Sequence, residues 1–142
     1  MSNKTSNKAS VLILPFLFFG VLVASSAWAK NYPLTSGRST PAATGKVEVD
    51  KDKNGNYEIT IKAERLAQPG MLTPAATTYV VWFQDRDGQP MNQGQLRVDK
   101  KLSGEFKTTT QSQNFDLFIT AEGDPTTKSP SDQVVLRAKI QE

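Results

Sequence analysis

The chain has 142 residues, no cysteine and no histidine, and a formal charge of +3. Length suits one domain with a short extension. The missing residue types exclude disulfides, thiolate chemistry, Cys/His metal sites and the usual histidine-based triads. The basic balance does not indicate a nucleic-acid binder. Setting aside Lys4 and Lys8, which lie in a segment expected to be removed, leaves 15 of the 17 basic residues against 14 acidic ones. These are scattered among each other, so no electrostatic footprint for a phosphate backbone emerges.

The N-terminus reads as an export signal. Met1–Ser10 is polar and carries Lys4 and Lys8, Val11–Val23 is apolar throughout, and Ala27-Trp28-Ala29 follows. A basic stretch, a short apolar core and a small-x-small site make a secretory signal peptide over residues 1–29. The apolar run falls short of the roughly 20 residues that cross a bilayer. The expected location is therefore exported, periplasmic or secreted, with membrane contact only through an uncleaved signal. Lys30–Gly45 is rich in Ser, Thr, Pro and Gly with few large apolar residues. It reads as a flexible leader, because such a segment buries too little to offset its ordering entropy.

From Lys46 to Glu142 the pattern becomes short alternating runs between turn residues. Lys46–Asp50 sets Val47 and Val49 on one face, and Asn54-Gly55 signals a hairpin. Tyr57–Ala63 alternates cleanly, with Tyr57, Ile59, Ile61 and Ala63 inward. Glu64–Ala76 holds Pro69-Gly70 and Pro74, which block helix and central strand, so it reads as a crossover loop plugged by Leu66. Thr77–Gln84 is the expected central strand, turned by Asp87-Gly88. Short strands follow at Gln95–Asp99 and Gly104–Thr110. Asn114–Glu122 places Phe115, Leu117, Ile119 and Ala121 inward. After a Pro-containing loop, Gln133–Ile140 places Val134, Leu136, Ala138 and Ile140 inward. About seven strands and no amphipathic helix predict an all-β, immunoglobulin-like antiparallel β-sandwich.

The central strand also suggests a partner surface. Tyr79, Val81 and Phe83 form a uniform apolar set suited to the core. The opposite set is mixed, and places Val80 and Trp82 outward. Phe118 and Val135 join them on neighbouring strands. An outward apolar stripe of Val80, Trp82, Phe118 and Val135 is a candidate partner surface with Trp82 as its anchor. The competing expectation is that a loop covers these residues, or that Trp82 is the core tryptophan common in such sandwiches.

Two motifs could carry chemistry. Asp50, Asp52, Asn54 and Gly55 match the first half of a calcium loop, in which oxygen ligands alternate before a sharply turning glycine. Ile61 stands where the bidentate glutamate belongs, and hairpin turn chemistry explains the same residues. Asp85 and Asp87 could pair as hydrolytic carboxylates. They flank a turn around Arg86 with no expected cleft, so a turn is the better reading. No cofactor is expected and no enzyme.

The order of motifs from Leu66 onward resembles the C-terminal extracytoplasmic domain of the bacterial anti-sigma-K factor family. The resemblance is carried by Tyr79-Val-Val-Trp82-Phe83, Asp87-Gly88-Gln89-Pro90 and Gly94-x-Leu96. Phe118-Ile-Thr-Ala-Glu122-Gly123, the loop through Pro130, and Val134-Val-Leu136 continue it. It implies the outer module alone, since the chain lacks the cysteines and histidines of the family's zinc-binding cytoplasmic part. The function expected from this is an exported, non-enzymatic binding or sensing module of the bacterial cell envelope. Its partner would be an envelope protein or a cell-wall component. The alternative is a self-associating structural or adhesion-type subunit that pairs through edge strands.

Overall fold

A computed structural model describes residues 28–142. The signal-peptide expectation for residues 1–29 falls almost wholly outside the described residues. Nine strands are present among those described: β1 (Lys30–Pro33), β2 (Thr35–Ser36), β3 (Thr44–Lys51), β4 (Tyr57–Glu64), β5 (Thr78–Asp85), β6 (Met91–Leu96), β7 (Gly104–Thr110), β8 (Asn114–Glu122) and β9 (Val134–Gln141). They form two sheets, ordered β1-β3-β4-β7 and β2-β9-β8-β5-β6. Every pairing is antiparallel. No helix among the described residues is long and apolar enough to cross a membrane.

The sheets face each other across one core. Val47, Val49, Tyr57, Ile59, Ile61 and Ala63 come from the four-stranded sheet. Tyr79, Val81, Phe83, Phe115, Leu117, Ile119, Leu136 and Ile140 come from the other. Period-two alternation explains this directly, since successive side chains point to opposite faces of a strand. Leu66 plugs one end of the core with no exposure, and its amide donates to the Leu102 carbonyl. Phe83 and Phe115 pack with ring centroids 4.5 Å apart.

Lys30–Gly45 is not a flexible leader. β1 pairs with β3 and β2 with β9, so the segment runs along one edge of each sheet. Leu34, Thr40 and Ala43 are buried. The Thr40 hydroxyl and the Gly37 amide both donate to the Val135 carbonyl, each at 2.8 Å. Composition misleads here because the ordering energy comes from backbone pairing and two small apolar plugs, not from an alternating apolar pattern.

Two bulges correct the strand assignments. In β9 the register slips between Ile119 and Thr120, so Ile119 faces Leu136 but Thr120 faces Val134. An extra residue in a strand reverses the alternation on one side of it. Val134, expected inward, therefore shares the outer face with Thr120, and Val135, expected outward, joins the core. In β6 the register slips between the partners of Val81 and Trp82. Gly94 sits there at φ +132°, and a Cβ on it would lie 3.1 Å from the Phe106 ring. The strand expected at Gln95–Asp99 accordingly begins four residues earlier and ends at Leu96.

Tyr79 crosses the core and its hydroxyl donates to the Ala67 carbonyl at 2.7 Å. Burial pushes its pKa up to about 12 from an ordinary 10.0. A raised folded pKa stabilises the fold below the unfolded value, and that contribution is lost as pH rises through the folded one. Melting temperature is thus expected to fall between pH 10 and 12, and to fall less in Tyr79→Phe. An identical alkaline profile for the two proteins would show that Tyr79 does not titrate with unfolding.

Candidate binding face

The two outer faces differ in kind. On the four-stranded sheet, Glu48 takes Lys46 at 2.7 Å and Lys62 at 3.2 Å, and Lys107 pairs with Glu105 at 3.5 Å. These are exposed pairs, worth little to stability, but they engage the cations Lys46, Lys62 and Lys107 of that face. The outer face of the five-stranded sheet is divided into a covered half and an open groove.

The covered half contains Trp82. Val80 and Trp82 point away from the core, as the alternation of β5 requires, yet both have no exposure. The loop 123–133 folds back over them. Asn92, opposite Trp82 on β6, holds that loop by donating Nδ2–H bonds to the Pro125 and Thr127 carbonyls at 2.9 and 2.8 Å. Trp82 Nε1–H donates to Thr120 Oγ1 at 2.8 Å, and the Thr120 hydroxyl donates to Glu122 Oε1. Glu122 also accepts the Ser131 amide at 2.7 Å, and the Ser131 hydroxyl donates to the Ala121 carbonyl. Among the described residues no buried side-chain polar atom lacks a partner. A network satisfied in this way rigidifies its surroundings, where a half-satisfied one would weaken them.

The expected stripe is therefore not an open surface. Val80 and Trp82 lie beneath the loop, and Val135 lies in the core. Of the four residues only Phe118 reaches the surface in part. The Phe118 ring stacks on Trp82 with centroids 6.4 Å apart and planes 14° from parallel. It forms the boundary between the covered half and the groove.

The groove has a volume of about 610 Å³ and crosses β5, β8 and β9, bounded by Tyr32, Pro33 and Thr35. That is within the range of ligand sites. Strand register lays its side chains in two rows. One runs Phe118, Arg137, Thr35, continuing outward from buried Trp82; the other runs Gln84, Asp116, Lys139. Tyr32 fixes the rim, since its hydroxyl donates to Glu142 at 2.8 Å and to the Gln141 carbonyl. Burial, then the Glu142 carboxylate, raise the Tyr32 pKa. Alternation reveals these outward residues individually. What it does not reveal is that a loop from one end of the sheet and an N-terminal segment from the other would fence them into a groove.

The remaining candidates are turns. Asp52 Oδ1 accepts the Asn54 and Asn56 amides at 2.8 and 2.9 Å, and Oδ2 accepts Asn56 Nδ2–H at 3.1 Å. Those bonds, the Asn56 side chain foremost, lower its pKa. The Asp52 oxygens face the turn's own amides, and Asp50 is an exposed strand residue opposite Glu58. No group of three His, Cys, Asp or Glu placed to hold a metal occurs among the described residues. Asp85 accepts the Ser112 hydroxyl and belongs to the β5–β6 turn, while Asp87 is exposed at its tip.

No protein-family model, curated protein or solved structure matches the chain.

Proposed function

We propose that this protein is an exported, non-enzymatic binding or sensing module of the bacterial cell envelope, using the outer face of its five-stranded sheet. The observation that carries this is the contrast between the two faces. On one face the cations Lys46, Lys62 and Lys107 are held by that face's own carboxylates, whereas the other holds a fenced groove in which Arg137, Lys139 and Asp116 are outside any ion pair within 4.0 Å among the described residues. The partner is an envelope protein or a cell-wall component. Among the described residues the only carboxylate lining the groove is Asp116, whereas paired-carboxylate hydrolysis needs two.

The sandwich is of the immunoglobulin type. What supports this is the strand order. Consecutive strands β3 and β4 pair, the chain crosses to the β5–β6 hairpin, returns to set β7 beside β4, then crosses again to set β8 beside β5 and β9 beside β8. Such Greek-key crossings are the hallmark of that architecture. The motifs resembling the anti-sigma-K outer domain fall on β5, β6, β8, β9 and their connections, the sheet that carries the groove. The expected role is thus that of an outer sensing module without a sigma-binding part.

Filling the groove tests the proposal. Wild-type protein is expected to co-sediment with isolated cell envelopes, and Val134→Trp, which fills the groove at a lining position without adding charge, to lose most of that binding at an unchanged melting temperature. Equal sedimentation of the two proteins, or none by the wild type, contradicts it.

Self-association by edge strands has less support. Among the described residues the longest free edge, β7, exposes Glu105 and Lys107, and charged edge residues oppose edge-to-edge pairing.

A further inference from the structure

We infer that the groove takes a saccharide chain bearing carboxylate groups; this rests on the binding reading above and narrows its partner. Charge is the first reason. Arg137 and Lys139 stand two residues apart on β9, exposed and on one face, so their Cα atoms are roughly 7 Å apart. Neither forms an ion pair among the described residues, although Asp116 is directly opposite Lys139. Arg presents a planar fork that fits a carboxylate with two parallel bonds. Two cations against one anion suit widely spaced carboxylates. The Asp116 charge opposes a dense polyanion such as a nucleic acid.

Geometry is the second reason, and it separates a saccharide from an acidic peptide. Extended peptides bind β-proteins by adding main-chain bonds at a free edge. This groove lies across the faces of β5, β8 and β9, where β5 and β8 are paired on both sides. Across β5 and β8 recognition must then come from side chains; main-chain pairing is open only along β9 beyond Arg137, where β2 no longer pairs among the described residues, and the polyglutamate probe below tests that route. Phe118, clamped parallel to Trp82, offers a fixed ring against which the C–H face of a sugar can pack, since aromatic faces carry negative charge and sugar C–H groups are weakly positive. Around it stand groups that pair with hydroxyls. Gln84 donates its Nε2–H to the Gly88 carbonyl at 3.2 Å, which orients its Oε1 as an acceptor. Thr35 adds a hydroxyl and Asp116 a carboxylate. An aromatic platform ringed by planar polar groups and a fork for carboxylate matches a uronic-acid type chain in each part.

The experiment is calorimetric titration of the whole exported chain with four probes. These are oligogalacturonate, its methyl ester, a neutral β-glucan oligomer and polyglutamate. Oligogalacturonate is expected to bind, with affinity reduced about tenfold or more by esterification and by Arg137→Gln. Arg137→Lys, which keeps the charge but loses the fork, is expected to lie between. Both substitutions are exposed, and unchanged melting temperatures confirm the fold. Absent binding of the acidic saccharide, equal binding of its ester, an unaffected Arg137→Gln, or tighter binding of polyglutamate each overturns the inference. Groove-dependent envelope sedimentation alongside such a result would leave the binding reading standing. Loss of both would remove the two together.

Discussion

Trp82→Ala is expected to destabilise the domain by about 3–5 kcal/mol, the cost of emptying a large buried aromatic site. The residue has no exposure although it lies on the outer side of its sheet. Its removal takes the support from Phe118 and the donor from Thr120. The loop 123–133 would then sit over a void. Trp82→Phe separates the two parts of the effect. It keeps most of the apolar volume and removes the indole N–H, so about 1 kcal/mol from the lost hydrogen bond is expected, with a smaller packing loss. Chemical denaturation measures both. A Trp82→Ala loss under about 1 kcal/mol would mean that the loop does not pack on the indole, since surface substitutions lie in that range. Limited proteolysis gives a second reading, because cleavage within 123–133 is expected to accelerate in the alanine variant.

The second large effect comes from the N-terminal segment. A Cβ on Gly37 would lie 2.0 Å from the Val134 carbonyl oxygen and 2.9 Å from its carbon. Both are backbone atoms of β9 and cannot rotate away. Gly37→Ala therefore forces the segment off the sheet edge or strains β9, with a cost of about 1–3 kcal/mol or more. It also disturbs the bond from the Gly37 amide to Val135. Leu34→Ala removes a buried side chain of the same segment and is expected to cost about 2–5 kcal/mol. Were Lys30–Gly45 a tether outside the fold, both variants would melt with the wild type. Equilibrium unfolding of the pair distinguishes the two pictures.

These effects fall where sequence reading and structure part company, and the reasons are physical. Strands whose apolar residues alternate without interruption were legible to within a residue. Tyr57–Glu64 and Asn114–Glu122 are examples. Leu66 was legible as a plug because it is a large apolar residue in a loop rich in turn formers; Leu72, buried in the same loop, went unread. The two bulges were not legible. A slip of one residue leaves composition unchanged but exchanges the faces of Val134 and Val135. β1 and β2 were hidden because edge pairing draws on backbone groups, which every sequence has.

The candidate site was legible in part for a similar reason. Alternation places Val80, Trp82 and Phe118 on the outer face, and they are there. It does not say what lies above them. The covering loop reads as a polar, turn-forming run of mostly Gly, Asp, Pro, Thr and Ser, and its attachment depends on Asn92 from another strand meeting two of its carbonyls. The groove was harder still. Gln84, Asp116, Arg137 and Lys139 are unremarked polar positions of three separate strands until the register aligns them into rows.

The claim on which the functional account rests is that the partner meets the five-stranded sheet at this groove. In-cell crosslinking from a photo-reactive residue at Thr35, on the groove rim, tests it most directly when compared with the same residue at Lys107 on the opposite sheet. The account predicts that the rim position captures envelope material, whether protein or cell-wall glycan, and that the Lys107 position does not. Capture from Lys107 alone, or equally from both, would place the partner elsewhere on the molecule; crosslinks only to other copies of this chain would make it a self-associating subunit.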